Sequence, residues 1–168
     1  PDATEYNIAA IDASGGKGGF EGGEAFRPTI NSYQYGNATA IAKIAEMKGE
    51  KHLANEFFSR ASALKTNIQS SLWNDKFQHF TDRYKVSNEF VHYWEFIRGR
   101  ELAGYAPWYF NLPDNDSRYN KAFTHLTDTT QLLGKYGFRT NEPSFEYYFH
   151  QYAYYEGKPS SQWNRPGW

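Results

Sequence analysis

Two long stretches of helical periodicity dominate the middle of the chain, over residues 30–48 and 50–73. Apolar side chains recur in them at intervals of three and four, which is typical of helices that bury one face. The predicted buried face of the first helix comprises Ala38, Ile41, Ala42 and Ala45, with Ile44 beside it. That of the second comprises Leu53, Phe57, Ala61, Leu64, Ile68 and Leu72. A single Lys-Gly step separates them, so the pattern predicts an antiparallel helical hairpin.

The other segments are shorter and less periodic. Residues 1–23 have only a short apolar spot at 8–11 and predict a loop. Pro28 prevents the first long helix from extending backwards, and Thr29 or Asn31 can cap it. After the hairpin the pattern predicts a short strand over 77–81, a short helix over 101–110 ended by Pro107, and another helix over 117–126. The predicted fold class is therefore mainly α.

Composition excludes several classes of function. The net charge of −1 is not clustered, which argues against a nucleic acid partner. No apolar run reaches roughly eighteen residues, so no membrane span is predicted. The absence of cysteine excludes disulfides and thiolate metal sites and leaves the compartment open, with a secreted location favoured. The five histidines lack metal-binding spacing, so we expect no metal and no cofactor.

Aromatic residues make up 19% of the chain, although the mean hydropathy is only −0.82. Many of these rings are therefore expected in partly solvated clefts, where an apolar face and a polar group are both useful. Flat rings beside carboxylates and amides suit sugar recognition. The alternative is that the rings are core and rim residues of an aromatic-rich fold.

A glycine-rich segment precedes the first long helix, and six of the fourteen glycines lie between Gly15 and Gly23. It matches neither the phosphate-binding P-loop nor the dinucleotide fingerprint. Two carboxylates, Glu21 and Glu24, lie within it or directly after it. Glycine lets a backbone approach a ligand closely, so the segment is a candidate site for a reactive carboxylate. The alternative is a solvated surface loop.

Glycoside hydrolysis is the chemistry that paired carboxylates favour, because one protonates the leaving oxygen and the other handles water or the sugar. Glu21, near Arg27, is the candidate proton donor, and Glu24 is its rival. The second catalytic carboxylate is harder to identify, because a buried structural role is favoured for most of the carboxylates further along the chain. The candidates by position alone are Glu101, Glu142 and Glu146.

Four segments in order carry a family resemblance: GGFEGGEAFRPTINSYQYGNATAIAKIAE, LWNDKFQHF, RELAGYAPWYFNLPD and QWNRPGW. Together they resemble the (α/α)6-toroid glycoside hydrolases of the mannosylglycerate-hydrolase-like group, related to glucosidase I and trehalase. The resemblance covers most of the chain in patches. It implies a toroid of six αα-hairpins and an inverting O-glycosidase that acts on a small sugar or oligosaccharide.

The resemblance also implies roles for individual residues. The acid is expected in a Gly-aromatic-Asp/Glu turn, here Gly19-Phe20-Glu21, and Arg27 is expected to hold the loop or the charge state of the acid. Related enzymes more often carry Asp at this position, which keeps Glu24 and Asp12 as alternatives. The final segment resembles a W-N-G-P-x-W motif, with Arg165 in place of the usual Gly. The residues expected to line the sugar site are Arg27, Asn31, Tyr105, Trp108, Trp163, Asn164 and Trp168.

The chain has too few helix candidates for a closed toroid, and the family's general base lies downstream of the final motif. Residues 1–168 are therefore predicted to be one partial catalytic domain. Its expected partners are a carbohydrate substrate and the remaining part of the toroid, or another chain of the same enzyme. Two alternatives stay open: a non-catalytic carbohydrate-binding domain with an aromatic cleft, and a helical scaffold whose aromatics are all core.

Overall fold

The computed structural model describes residues 7–17 and 24–148, and the backbone of 154–155 and 158–159. The helices are α1 (Ile8–Ala13), α2 (Pro28–Met47), α3 (Lys51–Leu72), α4 (Ala106–Tyr109) and α5 (Ser117–Asn120), with 3-10 helices at Leu102–Tyr105 and Lys121–Leu126. The strands are β1 (Ala25–Phe26), β2 (Trp73–Asn74), β3 (His79–Phe80), β4 (Arg83–Tyr84), β5 (Tyr154–Tyr155) and β6 (Lys158–Pro159). They form three antiparallel pairs, β1 with β4, β2 with β3 and β5 with β6. The mainly α prediction is confirmed.

The two long helices form the predicted hairpin. Lys48 ends α2, and Gly49 takes a φ of +79°, a left-handed conformation that favours glycine. The buried contact positions are small: Ala38, Ala42 and Ala45 on α2 face a strip of α3 that includes Ala54 and Ala61. The buried strip of the hairpin is therefore rich in alanine.

Among the larger side chains predicted to be buried, Ile68 and Leu72 are buried, whereas three others are exposed. Ile41, Ile44 and Leu53 are 39%, 60% and 40% exposed, which corrects the predicted faces. Ile41 and Ile44 each precede a buried alanine by one position, about 100° around the helix, so they point away from the buried strip. As a result α2 carries an exposed apolar stripe, made of Ile30, Tyr33, Ile41, Ile44 and Met47.

Several local predictions were wrong. Residues 8–13 form helix α1 instead of a loop, and the Asn7 side chain caps it by accepting from the Ala10 N–H. No side chain caps α2, since the Asn31 amide instead donates to the Arg27 carbonyl. Pro107 lies in the first turn of α4, where its missing N–H costs nothing, and does not end that helix.

Two buried apolar clusters hold these elements together. The first lies around α1 and includes Ile8, Ile11, Ile97 and Phe145. The second joins the end of α3 to the segments that follow, and its buried members are Ile68, Leu72, Trp73, Phe80, Leu112, Tyr119 and Ala122. Because α3 leads directly into β2, the second cluster fixes the end of the hairpin against the later segments.

A histidine pair lies beside the second cluster. His79 is fully buried, and its ring centroid is 6.0 Å from that of His125. Nε2 of His79 donates to the Glu101 carbonyl over 2.8 Å, which leaves Nδ1 without a hydrogen-bond partner among the described residues. Burial lowers the pKa of His79 to about 3, so the native ring stays neutral well below physiological pH.

This histidine predicts an acid-sensitive fold. Between its ordinary pKa of 6.5 and about 3, the unfolded chain binds a proton that the native ring does not. The free energy of unfolding should therefore decrease as the pH is lowered from about 6.5 towards 3. This group contributes at most about 1.4 kcal/mol per pH unit to that decrease. His79→Gln keeps an N–H donor but cannot titrate, so its free energy of unfolding should change less between pH 6.5 and acid. Urea titrations across that range measure both slopes, and equal slopes would contradict the prediction.

Candidate functional site

The start of α2 is held by a buried ion pair. Arg27 follows β1 and Asp82 precedes β4, and pairing of these two strands brings the side chains together. Nε of Arg27 donates to Oδ2 of Asp82 over 2.8 Å, with both side chains at most 10% exposed. The pair ties the residues that follow the glycine-rich segment to the rest of the fold. Sequence reasoning gave Arg27 a role near the acid and did not anticipate Asp82, which lies 55 positions away.

Glu24 is the described carboxylate nearest to the glycine-rich segment. Its Oε2 accepts from Nζ of Lys85 over 2.5 Å, and the pair lies at the surface. The hydrogen bond and charge of Lys85 lower the pKa of Glu24 below its ordinary value. A general acid has to carry a proton near neutral pH, so this environment suits an ionised carboxylate better than a proton donor.

Asp12, the other alternative acid, is buried and engaged on both oxygens. Oδ1 accepts from Nη2 of Arg98, and Oδ2 accepts from the Tyr84 hydroxyl, each over 2.5 Å. Burial, followed by the charge of Asp12, raises the pKa of Tyr84. The hydrogen bond that Arg98 donates to Asp12 is the main cause that raises the pKa of Arg98. A carboxylate enclosed in this way has no oxygen facing a substrate.

The three carboxylates proposed as partners are placed differently from one another. Glu101 is buried, and its Oε1 accepts from the first N–H of α1 over 2.8 Å. Glu142 is also buried and pairs with Nη1 of Arg100 over 2.6 Å. Glu146 is more exposed and pairs with Nη1 of Arg98 over 2.9 Å. Each of them makes an internal contact that helps hold the fold.

Tyr105 and Trp108, both expected to line a sugar site, pack on the second apolar cluster. The Trp108 ring meets Phe80 edge-on at 5.3 Å and Phe123 at 5.3 Å. The Tyr105 hydroxyl donates to the Ala122 carbonyl over 2.5 Å, and burial raises its pKa. Both side chains are only half-buried, so part of each ring faces outward.

A hollow of about 230 Å³ lies where β1 meets the C-terminal half of α3. Asn31, which the resemblance placed at the sugar site, lines this hollow. The other lining residues were not anticipated from the sequence, because they come from three separate segments. We call this the Trp94 hollow, and its lining residues are Phe26, Asn31, Leu64, Asn67, Ile68, Ser71, Leu72 and Trp94. The aromatic content around residue 94 was the one signal in the sequence that pointed to it.

The remaining predicted site residues, Glu21, Trp163, Asn164 and Trp168, lie outside the described residues. Within residues 7–17 and 24–148, no group of three or more His, Cys, Asp or Glu side chains is arranged to hold a metal ion. None of the helices described is long and apolar enough to cross a bilayer.

A family model of the mannosylglycerate hydrolase MGH1-like glycoside hydrolase domain matches residues 2–168. The chain belongs to this family. The family resemblance carried by the four sequence segments is therefore confirmed. Membership in the MGH1-like family makes the chain a glycoside hydrolase-like domain.

Two relatives show how much of a larger protein the chain represents. A solved structure named sialidase superposes with a TM-score of 0.72 at 32% sequence identity, over 88% of this chain and 12% of that one. An uncharacterized protein of Borreliella burgdorferi is 27% identical over 140 residues, which is 78% of this chain and 28% of that protein. The chain thus spans between about an eighth and under a third of the length of these two relatives.

Proposed function

We propose that this MGH1-like domain is the acid-bearing part of an inverting O-glycosidase that acts on a small sugar or oligosaccharide. The observation that carries the proposal is the match of the glycoside hydrolase family along residues 2–168. That match includes the glycine-rich segment and the helix that follows it. An inverting enzyme protonates the leaving oxygen with one carboxylic acid and activates water with a second carboxylate on the opposite face of the sugar.

Glu21 is the proton donor in this proposal. Two of its rivals have environments that fit the role poorly, since Glu24 is held ionised by Lys85 and Asp12 is bound on both oxygens. The buried pair of Arg27 with Asp82 supports the assignment, because it anchors the chain only six positions after Glu21. A proton donor that lies close in the chain to an anchored residue can be positioned against a substrate.

The general base lies outside this chain in our proposal, and further helical hairpins of an (α/α)6 toroid complete the cleft. The short coverage of the two relatives supports this, because both are several times longer than the chain. The exposed apolar stripe of α2 supports it as well. Ile44 and Met47 are 60% and 85% exposed, and a neighbouring helix of the toroid would cover them.

A non-catalytic carbohydrate-binding domain is the second candidate. The Trp94 hollow favours it, because an aromatic ring beside amide and hydroxyl groups can bind a sugar without any reaction. The two candidates differ in one measurable respect, since only the glycosidase releases a new hemiacetal.

Hydrolysis by the full-length protein tests the proposal. We expect neutral aryl glycosides to be cleaved, with the first-formed sugar in the anomeric configuration opposite to that of the substrate. Proton NMR within the first minutes of reaction distinguishes the anomers before mutarotation mixes them. Retention of configuration would contradict the inverting mechanism. Sugar binding without any turnover would favour the binding domain.

A further inference from the structure

We propose that the Trp94 hollow is a subsite for one neutral sugar ring. The hollow combines a flat apolar wall with polar side chains that keep hydrogen-bonding groups unused by the described residues. It lies between β1, α2, α3 and the segment after β4, and each of these contributes at least one lining residue. The inference rests on the proposed carbohydrate function and adds a specific place and chemistry to it.

An aromatic cluster around Trp94 forms the flat apolar wall of the hollow. Trp94 meets Phe26 edge-on at 5.1 Å and stacks on Tyr93 at 6.0 Å. Trp94 keeps 42% of its surface exposed although the guanidinium carbon of Arg83 lies 5.1 Å from its ring centroid, so part of the ring is available to a ligand. An indole face packs well against the C–H face of a pyranose, which is apolar although the ring edge is polar.

The backbone of Trp94 carries strain that the surrounding contacts maintain. Its φ of +71° is rare for a bulky residue, because this left-handed region favours glycine. Two hydrogen bonds hold it there: its N–H donates to the Tyr84 carbonyl over 2.8 Å, and its carbonyl accepts from Nη1 of Arg83. Strain of this kind clusters at binding sites, where it presents a side chain in a fixed orientation.

Other lining residues of the hollow offer hydrogen-bonding groups. Asn67 and Ser71 lie one turn apart on α3, and neither side chain makes a hydrogen bond to the described residues. Asn31 donates its amide N–H to the Arg27 carbonyl, which leaves its amide oxygen to accept from a ligand. Two amides and a hydroxyl supply both donors and acceptors, as the hydroxyl groups of a sugar require.

Charge and size restrict the ligand further. None of the eight lining residues is ionisable, which favours a neutral sugar over an acidic or basic one. The nearby Arg83 is engaged by the protein itself, since its Nε donates to the Ser71 carbonyl over 2.6 Å. Its guanidinium carbon lies 3.5 Å from the ring centroid of Phe96 and 5.1 Å from that of Trp94. The volume of about 230 Å³ is below the range of roughly 300–1,000 Å³ for drug-sized ligands, which indicates a single ring.

Titration calorimetry on the full-length protein with a panel of neutral methyl hexopyranosides tests the inference. Asn67→Ala should weaken binding about three- to tenfold, because it removes a donor and an acceptor. Alanine favours the helix more than asparagine, so this variant keeps its fold. Trp94→Leu, which keeps apolar bulk and loses the flat face, should weaken binding about tenfold.

Asn55→Ala is the matched control. Asn55 is an exposed asparagine on the same helix, ~18 Å from Asn67 along the α3 axis, and it does not line the hollow. The affinity of this variant for the methyl hexopyranosides should equal that of the wild type. Cyclohexanol and glucuronic acid serve as an apolar ring and a charged ring, and both should bind more weakly than the neutral glycosides.

Each outcome separates the subsite from the catalytic proposal. Weaker binding in both hollow variants without hydrolysis by the wild type would keep the subsite and reject the glycosidase. Hydrolysis by the wild type with unchanged sugar affinity in both variants would keep the glycosidase and reject the subsite. Tighter binding of cyclohexanol would show an apolar occupant, and tighter binding of glucuronic acid an acidic one; either result would overturn the inference.

Discussion

Glu21→Gln is expected to slow hydrolysis of unactivated glycosides by the full-length protein by about 10²–10⁴-fold, the usual contribution of general acid catalysis. Glutamine has the shape of glutamic acid but carries no proton that it can transfer to the leaving oxygen. The loss should appear in kcat and kcat/KM together, because the proton moves only in the transition state.

The leaving group provides the internal check on this assignment. A dinitrophenyl or fluoride leaving group departs without protonation, so Glu21→Gln should lose far less activity on such substrates. Glu56→Gln, an exposed glutamate of α3 paired with Arg60, is the matched control and should behave as the wild type. Equal losses on both kinds of substrate would contradict an acid role. The same pattern in Glu24→Gln would transfer the role to that residue.

Breaking the Arg27–Asp82 pair is expected to produce the largest loss of stability. Arg27→Met or Asp82→Leu alone leaves one buried charge without its partner, which typically costs about 3–5 kcal/mol. The double variant should recover much of that loss, because it removes both buried charges at once. Urea unfolding of the three variants gives the free energies and the coupling between the two sites.

An exposed ion pair provides the comparison. Lys65 and Asp114 are joined over 2.6 Å, but the side chains are 30% and 59% exposed. Lys65→Met should therefore change the free energy of unfolding by no more than about 1 kcal/mol. If either single variant of the Arg27–Asp82 pair were equally mild, water would have to reach that pair, contrary to its burial.

Local patterns were sufficient for the central hairpin. Two helices of 20 and 22 residues give several turns over which apolar spacing repeats, and Gly49 marks the reversal between them. Helix α1 has only six residues, which is too short for a period to show. It is stabilised by the Asn7 cap, by burial of Ile8 and Ile11, and by the distant Glu101 carboxylate. Only the Asn7 cap is local, because the burial of Ile8 and Ile11 and the contact with Glu101 depend on the whole fold.

The sequence by itself determined the family, the mainly helical class and the carboxylate proposed as the acid, because these depend on residues that are close together in the chain. Tertiary structure decided which aromatic side chains meet and which charges are paired. Arg27 and Asp82 are 55 positions apart, and Trp94 meets Phe26 across a similar separation. No periodic pattern encodes such contacts, since they arise when strand pairing and the packing of α3 bring remote segments together.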